Sequence, residues 1–272
     1  MNDLNDAHRR EAALEIITAA RGKALPLTEA DLEPSDIPAA CKEAQNALRA
    51  ARESADSAII FGSVINRVLK ISQGVTVRGN WSVQAQDSLR AAVLFAGAGL
   101  DRALKVLMQD AIPVLVEHDE QTLKKFKSFA AGAISRKGED VVDPATLVEM
   151  FLASGDSPRD VLRKRWIKEL TDGSAQSVER VDEIAAALGV TDTTIRKRID
   201  PSNRRSTLRD AFAARNEIAH ELDITKPKAD VREKLEKIRK TRKAEDVKKH
   251  VTEMLETAHA IIDDVSKRVA EG

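Results

Sequence analysis

The chain has 272 residues, enough for one large domain or a domain with an extension, and its 44 Lys+Arg balance 44 Asp+Glu for a formal charge of +0. That balance excludes a global pull toward nucleic acid or membrane, so any polyanion site has to come from local clustering. The single cysteine, Cys41, excludes an intramolecular disulfide and a thiolate zinc cluster and suits a reducing cytoplasm; within its alanine-rich stretch it reads as a small packing residue.

The acidic, polar start Met1–Asp6 is unlike a secretory signal. The longest apolar run, Ala91 to Leu100, falls far short of the about 20 residues of a membrane span. The expectation is a soluble cytoplasmic protein with no membrane partner. Residues 7–21 are helix-forming, and Gly22, Pro26, Pro34 and Pro38 mark a loop after them. An alanine-rich helix then runs to about Lys70. Gly74 and Arg78-Gly79-Asn80 break it, which sets off residues 1–79 as an N-terminal helical extension from a main domain at 80–272. The β-like Val75-Thr76-Val77 is too short to change the fold class.

Ser82 to about Val116 reads as the first major core helix, with Pro113 expected to kink or end it. Leu89, Val93, Ala96, Leu100, Leu104 and Leu107 form one apolar stripe; Leu94, Ala98, Asp101 and Met108 lie on the adjacent one. Gly97 and Gly99 lack a Cβ and would let another helix backbone approach. Asp101 is the only acid in that belt, the natural partner for a buried cation.

Residues 120–137 are basic around Phe126 and Phe129, and short helices are expected at 144–153 and 158–171. Lys124, Lys125, Arg163 and Arg165 beside Trp166 could grip single-stranded RNA through phosphate charge and base stacking. The plainer reading is a solvated helix face with an anchoring tryptophan. From Val178 to Ile199 two short helices joined at Gly189 resemble a helix-turn-helix, with Thr193, Thr194, Arg196 and Lys197 as candidate DNA readers. Pro227 then precedes a charged tail helix, Asp230 to Val269, with an apolar seam from Ile238 to Val265, as an outer helix or dimer element would have. With too few β-rich runs for a sheet, the fold should be all-α.

Walker-type phosphate loops, a dinucleotide fingerprint and a nucleophile elbow are missing. No His/Asp/Glu group has metal spacing, and His8, His118, His250 and His259 are scattered, so neither metal nor cofactor is expected. What remains is the stretch Thr207–Asp223. Leu208, Ala211, Phe212, Ile218, Ala219 and Leu222 recur at helical spacing, and Arg215 interrupts them. An arginine on a burying face is costly without a carboxylate or phosphate. His220 shares a side with Asn216, and residues five apart are separated by roughly 140°, so Arg215 and His220 flank one edge. Arg205 and Arg209 extend the positive charge.

Arg215-Asn216-Glu217-Ile218-Ala219-His220 fits the Arg-x4-6-His motif, and the stretch, continued through Glu221-Leu222-Asp223, resembles the RiboL-PSP type of HEPN domain. The resemblance covers roughly 82–270, with a looser helical insertion at about 120–200. It implies a helical bundle, a homodimer and a metal-independent endoribonuclease. Members of this kind act as the toxin of a toxin–antitoxin pair or as an anti-phage defence effector, with an antitoxin or defence-system partner protein. The implied catalytic set is Arg215, Asn216, His220 and Asp101.

The residue types suit that chemistry. Metal-free RNA cleavage needs a base for the ribose 2′-hydroxyl, a cation for charge growing at phosphorus, and an acid for the leaving 5′-oxygen. Histidine can serve as base or acid, and arginine offers a planar donor fork for phosphate. One histidine per chain means a symmetric dimer would bring both proton carriers. Asn216 could orient His220 or donate to phosphate, and Asp101 would hold Arg215 or His220 in register. The products would be a 2′,3′-cyclic phosphate and a 5′-hydroxyl. The competing readings are a buried Arg215–Asp101 pair fixing helix register with His220 at a helix C-terminus, and a non-catalytic DNA-binding regulator built on 178–199.

Overall fold

Alanine-rich segments bounded by serine and aspartate caps make a chain that is all-α wherever the structure, a computed structural model, describes it. The described residues are 37–74, 81–135, 157–227 and 232–272, with Glu11, Leu14, Glu15, Ala145, Val148, Phe151 and Leu152 as isolated helical positions. The rest of the expected helices at 7–21 and 144–153, and Val75–Val77, lie outside them. The helices are α1 (Ala39–Ser72), α2 (Val83–His118), α3 (Glu120–Ser135), α4 (Pro158–Asp172), α5 (Val178–Ala187), α6 (Thr193–Arg198), α7 (Thr207–Glu221), the single turn α8 (Leu235–Ile238) and α9 (Ala244–Glu271). Among the described residues the only β pairing is an isolated bridge between Ile224 and Arg239, and no helix is long and apolar enough to cross a membrane.

The chain divides into two units that interleave along the sequence. One takes Arg49–Leu100 and Arg205–Glu256 with Met1–Leu32; the other takes Glu33–Leu48, Asp101–Arg204 and Thr257–Gly272. In the first, Ile59, Leu89, Val93, Leu208, Phe212, Ile218 and Val251 are buried. In the second the buried set includes Leu48, Leu104, Leu107, Ile112, Ile184, Leu188 and Ile261. The stripe expected on α2 (Leu89, Val93, Ala96, Leu100, Leu104, Leu107) is buried throughout. Its neighbour is not: Leu94 is half-buried and Ala98 exposed.

The first core helix ends close to where it was expected, and α2 runs through Pro113 to His118. A proline inside a helix costs about 3 kcal/mol, but Ile112, Leu115 and Val116 around it are fully buried, each contributing on the order of 1.5–3 kcal/mol. Burial wins. The helix stops where Asp119 turns its carboxylate to cap α3, accepting the Thr122 N–H at 2.7 Å.

The tail helix begins at Ala244 rather than Asp230. Residues 239–242 are instead held against the end of α7. Ile224 and Arg239 form the bridge, and the Lys240 N–H donates to the Asp223 carbonyl at 2.8 Å. Val247, Val251, Leu255, Ile261 and Val265 form the buried seam expected of this helix, whereas Ile238 lies outside it and is only half-buried.

Candidate functional site

Helix α7 starts at Ser206, whose hydroxyl accepts the Arg209 N–H at 3.1 Å. Asp210 in its first turn complements the helix dipole. Leu208, Ala211, Phe212, Ala214 and Ile218 face the core of their unit. Ala219 and Leu222, expected on that face, are exposed, Leu222 by 59%. The burying stripe therefore stops one turn early, and Arg215 stands at its margin.

Arg215 is half-buried because its aliphatic stem crosses α2 at Gly97. A Cβ on Gly97 would lie 3.1 Å from the Arg215 Cγ and 3.8 Å from the Met254 sulfur. The missing side chain thus admits an arginine stem, not the helix backbone that the sequence suggests. Of the guanidinium, Nε stays buried with the stem, and Nη1 donates to the Asn216 side-chain oxygen at 3.1 Å at the surface. Asn216 and His220 are both exposed, one turn apart on the same side of the helix. Arg215 and Asn216 are brought together, and His220 follows along an open face.

Asp101 has other work. Its carboxylate accepts the Ala175 N–H at 2.6 Å and the Ser174 hydroxyl at 3.3 Å, and pairs with Lys105 at 3.2 Å. It anchors the entry to α5, and Lys105, one turn along the same helix, supplies its cation.

The polar cluster built around α7 is a different one. Asp223 has a side chain with no exposed area and accepts from Arg90 Nε at 2.8 Å and Arg242 Nε at 3.1 Å. Arg90 also donates to the Lys240 carbonyl at 2.8 Å, and Arg242 to Glu217 at 2.8 Å. Gln86 clasps the Arg242 backbone from both sides, at 3.0 and 2.8 Å. Burial would raise the Asp223 pKa, but the bonds from Arg242 and Arg90 outweigh it and hold the carboxyl below its ordinary value. Glu217 is depressed in the same way, burial being outweighed by Lys240 at 2.7 Å and by Arg242. The signal was present in the sequence: Gln86, Arg90, Val93 and Gly97 fall at helical spacing, so Arg90 interrupts one face of α2 as Arg215 interrupts α7.

Between α7 and the start of α9 runs a groove of about 430 Å³ lined by Asp210, Glu217, Lys243, Asp246 and His250 among others. Burial, with Arg242 nearby, lowers the His250 pKa and favours its neutral form.

The remaining RNA-contact candidates separate by burial. Lys124 and Lys125 are exposed on α3. Trp166 is only 5% exposed, its ring 5.5 Å from Phe126 and 6.1 Å from Phe129. It is a packing anchor, which is the plainer of the two readings, and its ring is not exposed for base stacking. Arg163 is tied to Asp160 and Glu117, Arg165 is half-buried, and Arg205 and Arg209 lie at the start of α7, exposed and half-buried respectively.

Helices α5 and α6 do form two short helices around a tight turn. Gly189 has φ +73°, a conformation that favours glycine, and the flanking Val190 N–H returns to the Ala185 carbonyl at 2.9 Å. Asp192 caps α6, accepting the Thr194 and Ile195 N–H groups. Thr193, Thr194 and Lys197 are exposed, whereas Arg196 is drawn back to Asp182 at 2.8 Å.

The chain matches no protein-family model, no curated protein and no solved structure.

Proposed function

We propose that the chain is a metal-independent endoribonuclease of HEPN type that cleaves RNA by 2′-hydroxyl attack, with Arg215, Asn216 and His220 as its catalytic group. The observation that carries this reading is the Arg215–Asn216 contact at 3.1 Å on an exposed helical face that also bears His220. A guanidinium whose stem is seated against Gly97 offers donors to a phosphate with little freedom left to lose. The exposed imidazole is open to a bound RNA as a proton carrier.

One histidine cannot act as both base and acid in a single cleavage event without exchanging protons. The reading therefore includes a homodimer whose two α7 faces converge. The uncovered Ala219 and Leu222 favour a partner on this face, since burying them adds apolar area without displacing a charge. A role as toxin or anti-phage effector belongs to the same reading.

The test is cleavage of labelled RNA in EDTA by the full chain and by Arg215→Ala and His220→Ala proteins. The expected result is loss of at least about a hundredfold in rate for each, with cyclic phosphate ends from the wild type. Wild-type cleavage persisting in either variant refutes the assignment.

A second reading, a DNA-binding regulator, is favoured by the α5–Gly189–α6 geometry and the exposed Thr193, Thr194 and Lys197. Against it, Asp182 and Asp200 line the same cleft as Arg196 and Lys197 and would repel backbone phosphate. Salt-dependent duplex binding weakened by Lys197→Ala would support it.

A further inference from the structure

We propose that Asp223 is a positioning residue for His220. The buried Arg90–Asp223–Arg242 cluster fixes the left-handed turn that ends α7, and so sets where the imidazole's Cα–Cβ bond leaves the helix three residues earlier. The consequence for catalysis rests on the ribonuclease reading above; the positioning itself does not.

The backbone makes the case first. Leu222 has φ 51° and Asp223 φ 60°, two successive non-glycine residues in the region that L side chains seldom adopt. Without compensation such a turn would relax, and the last turn of the helix with it. Here it is pinned from every side. The Leu222 N–H donates to Ile218 at 3.1 Å, the Asp223 N–H to Glu217 at 3.2 Å, and the Ile224 N–H to Glu221 at 2.9 Å. The Leu222 carbonyl accepts from Arg239 Nε at 2.9 Å, and the Asp223 carbonyl from the Lys240 N–H at 2.8 Å.

The side chain then ties these bonds to distant parts of the unit. Through its carboxylate Asp223 joins Arg90 on α2 and Arg242 ahead of α9. Each arginine has a second anchor, the Lys240 carbonyl for Arg90 and Glu217 for Arg242. Glu217 is itself one turn before His220's neighbour Glu221, so the cluster grips the last turn of α7 at both ends. His220 is exposed and makes no hydrogen bond or ion pair with the described residues, so the turn fixes where its Cα–Cβ bond points, and the ring samples its rotamers from that fixed root. Leu222 is 59% exposed and contributes little packing that could hold the turn instead.

The experiment compares the wild-type chain with Asp223→Asn, which keeps the shape and removes the charge, and with Leu115→Ala, which opens a buried site in the other unit. Three quantities are read: the His220 ring resonances, amide exchange over 218–222, and RNA cleavage. Expected for Asp223→Asn are a shifted or broadened His220 signal, at least about tenfold faster exchange, and kcat reduced about tenfold or more at nearly constant KM. Leu115→Ala should lower Tm yet leave the His220 signal and the cleavage rate of the folded fraction in place. Should Asp223→Asn fail to fold, Arg90→Lys, which retains a cation but gives up the second anchor, should give the same changes in weaker form. An unmoved His220 resonance with unchanged exchange in the folded variant overturns the proposal. A wild type that does not cut RNA, with the resonance still moved by Asp223→Asn, sinks the ribonuclease reading and leaves the positioning role standing.

Discussion

Gly97→Ala separates the catalytic role proposed for Arg215 from the stability of the fold. In a helix interior alanine is favoured over glycine by about 1 kcal/mol, and Gly97 lies well inside α2. The new methyl would sit 3.1 Å from the Arg215 Cγ, whereas carbon atoms rest at about 3.5–4.0 Å. The stem must therefore retreat by roughly half an ångström, which a flexible arginine can do at modest cost. The two effects nearly offset, and Tm should stay within about 3 °C of the parent value. Catalysis has no such tolerance: a displacement of about 1 Å costs on the order of a hundredfold, so half of it predicts a roughly tenfold loss. The assay is a melt followed by calorimetry, paired with single-turnover RNA cleavage in EDTA. Ala98→Gly on the exposed neighbouring position is the control, expected to cost about 1 kcal/mol of stability and no cleavage. The reasoning fails if Gly97→Ala cuts RNA within twofold of the parent. It fails equally if Tm drops by about 8 °C or more, which would mean a rigid neighbour rather than a movable stem.

Other outcomes follow from the same packing. Gly189→Ala combines φ +73° with a methyl placed 2.7 Å from both the Asp119 carboxylate and the Thr122 hydroxyl; a loss of about 2–3 kcal/mol, read as a lower denaturant midpoint, is expected. Trp166→Ala should cost about 3–5 kcal/mol because the ring is buried against Phe126 and Phe129, while RNA affinity measured on the folded fraction stays unchanged. Stability should also fall with acid in two steps. His250 has a folded pKa below its ordinary value of about 6.5, so its contribution is complete above that pH and declines as pH drops through the folded value. Asp223, Glu217 and Asp119 are likewise depressed. Their contribution is complete above about pH 4 and is lost below it, where the unfolded chain binds the additional protons. Denaturant midpoints measured across this range should show both steps, and Asp223→Asn should shrink the lower one.

The helical class and the apolar seams were legible because they depend on spacing alone. Leu89 to Leu107 and Val247 to Val265 recur at the period that buries one side of a helix, and that side is the buried one. Boundaries were less legible where tertiary contacts override local preference. Pro113 is tolerated because its neighbours are fully buried, and residues 239–242 leave the tail helix because the end of α7 offers their backbone partners. Nothing local to either segment carries that information. In the candidate site, Arg215 stood out as a charge on a burying face, yet the identical anomaly at Arg90 passed as part of an ordinary helix. The carboxylate of the buried cluster, Asp223, stands inside the stretch that carries the family resemblance, yet it lies just past a helix end, where no periodicity announces its burial.

That difference bears on how charge is used in this chain. A carboxylate with two arginines is a poor source of net stability, because desolvating three ions cancels much of their attraction. Its value lies in geometry. With both guanidiniums committed at fixed angles, the turn at Leu222–Asp223 has one low-energy arrangement, and displaced alternatives leave a buried charge unpaired. The exposed end of α7 carries the opposite pattern: Asn216 and His220 are open to solvent, and only the Arg215 stem is packed. Rigid charge beneath and accessible donors above is the division expected when a surface group must be held in one direction while remaining free to meet a ligand. A cluster serving stability alone would gain as much from replacing Arg90, Asp223 and Arg242 with apolar side chains of similar volume. Such a triple variant should therefore remain folded yet lose the orientation of His220, and retained orientation would reduce the cluster to packing.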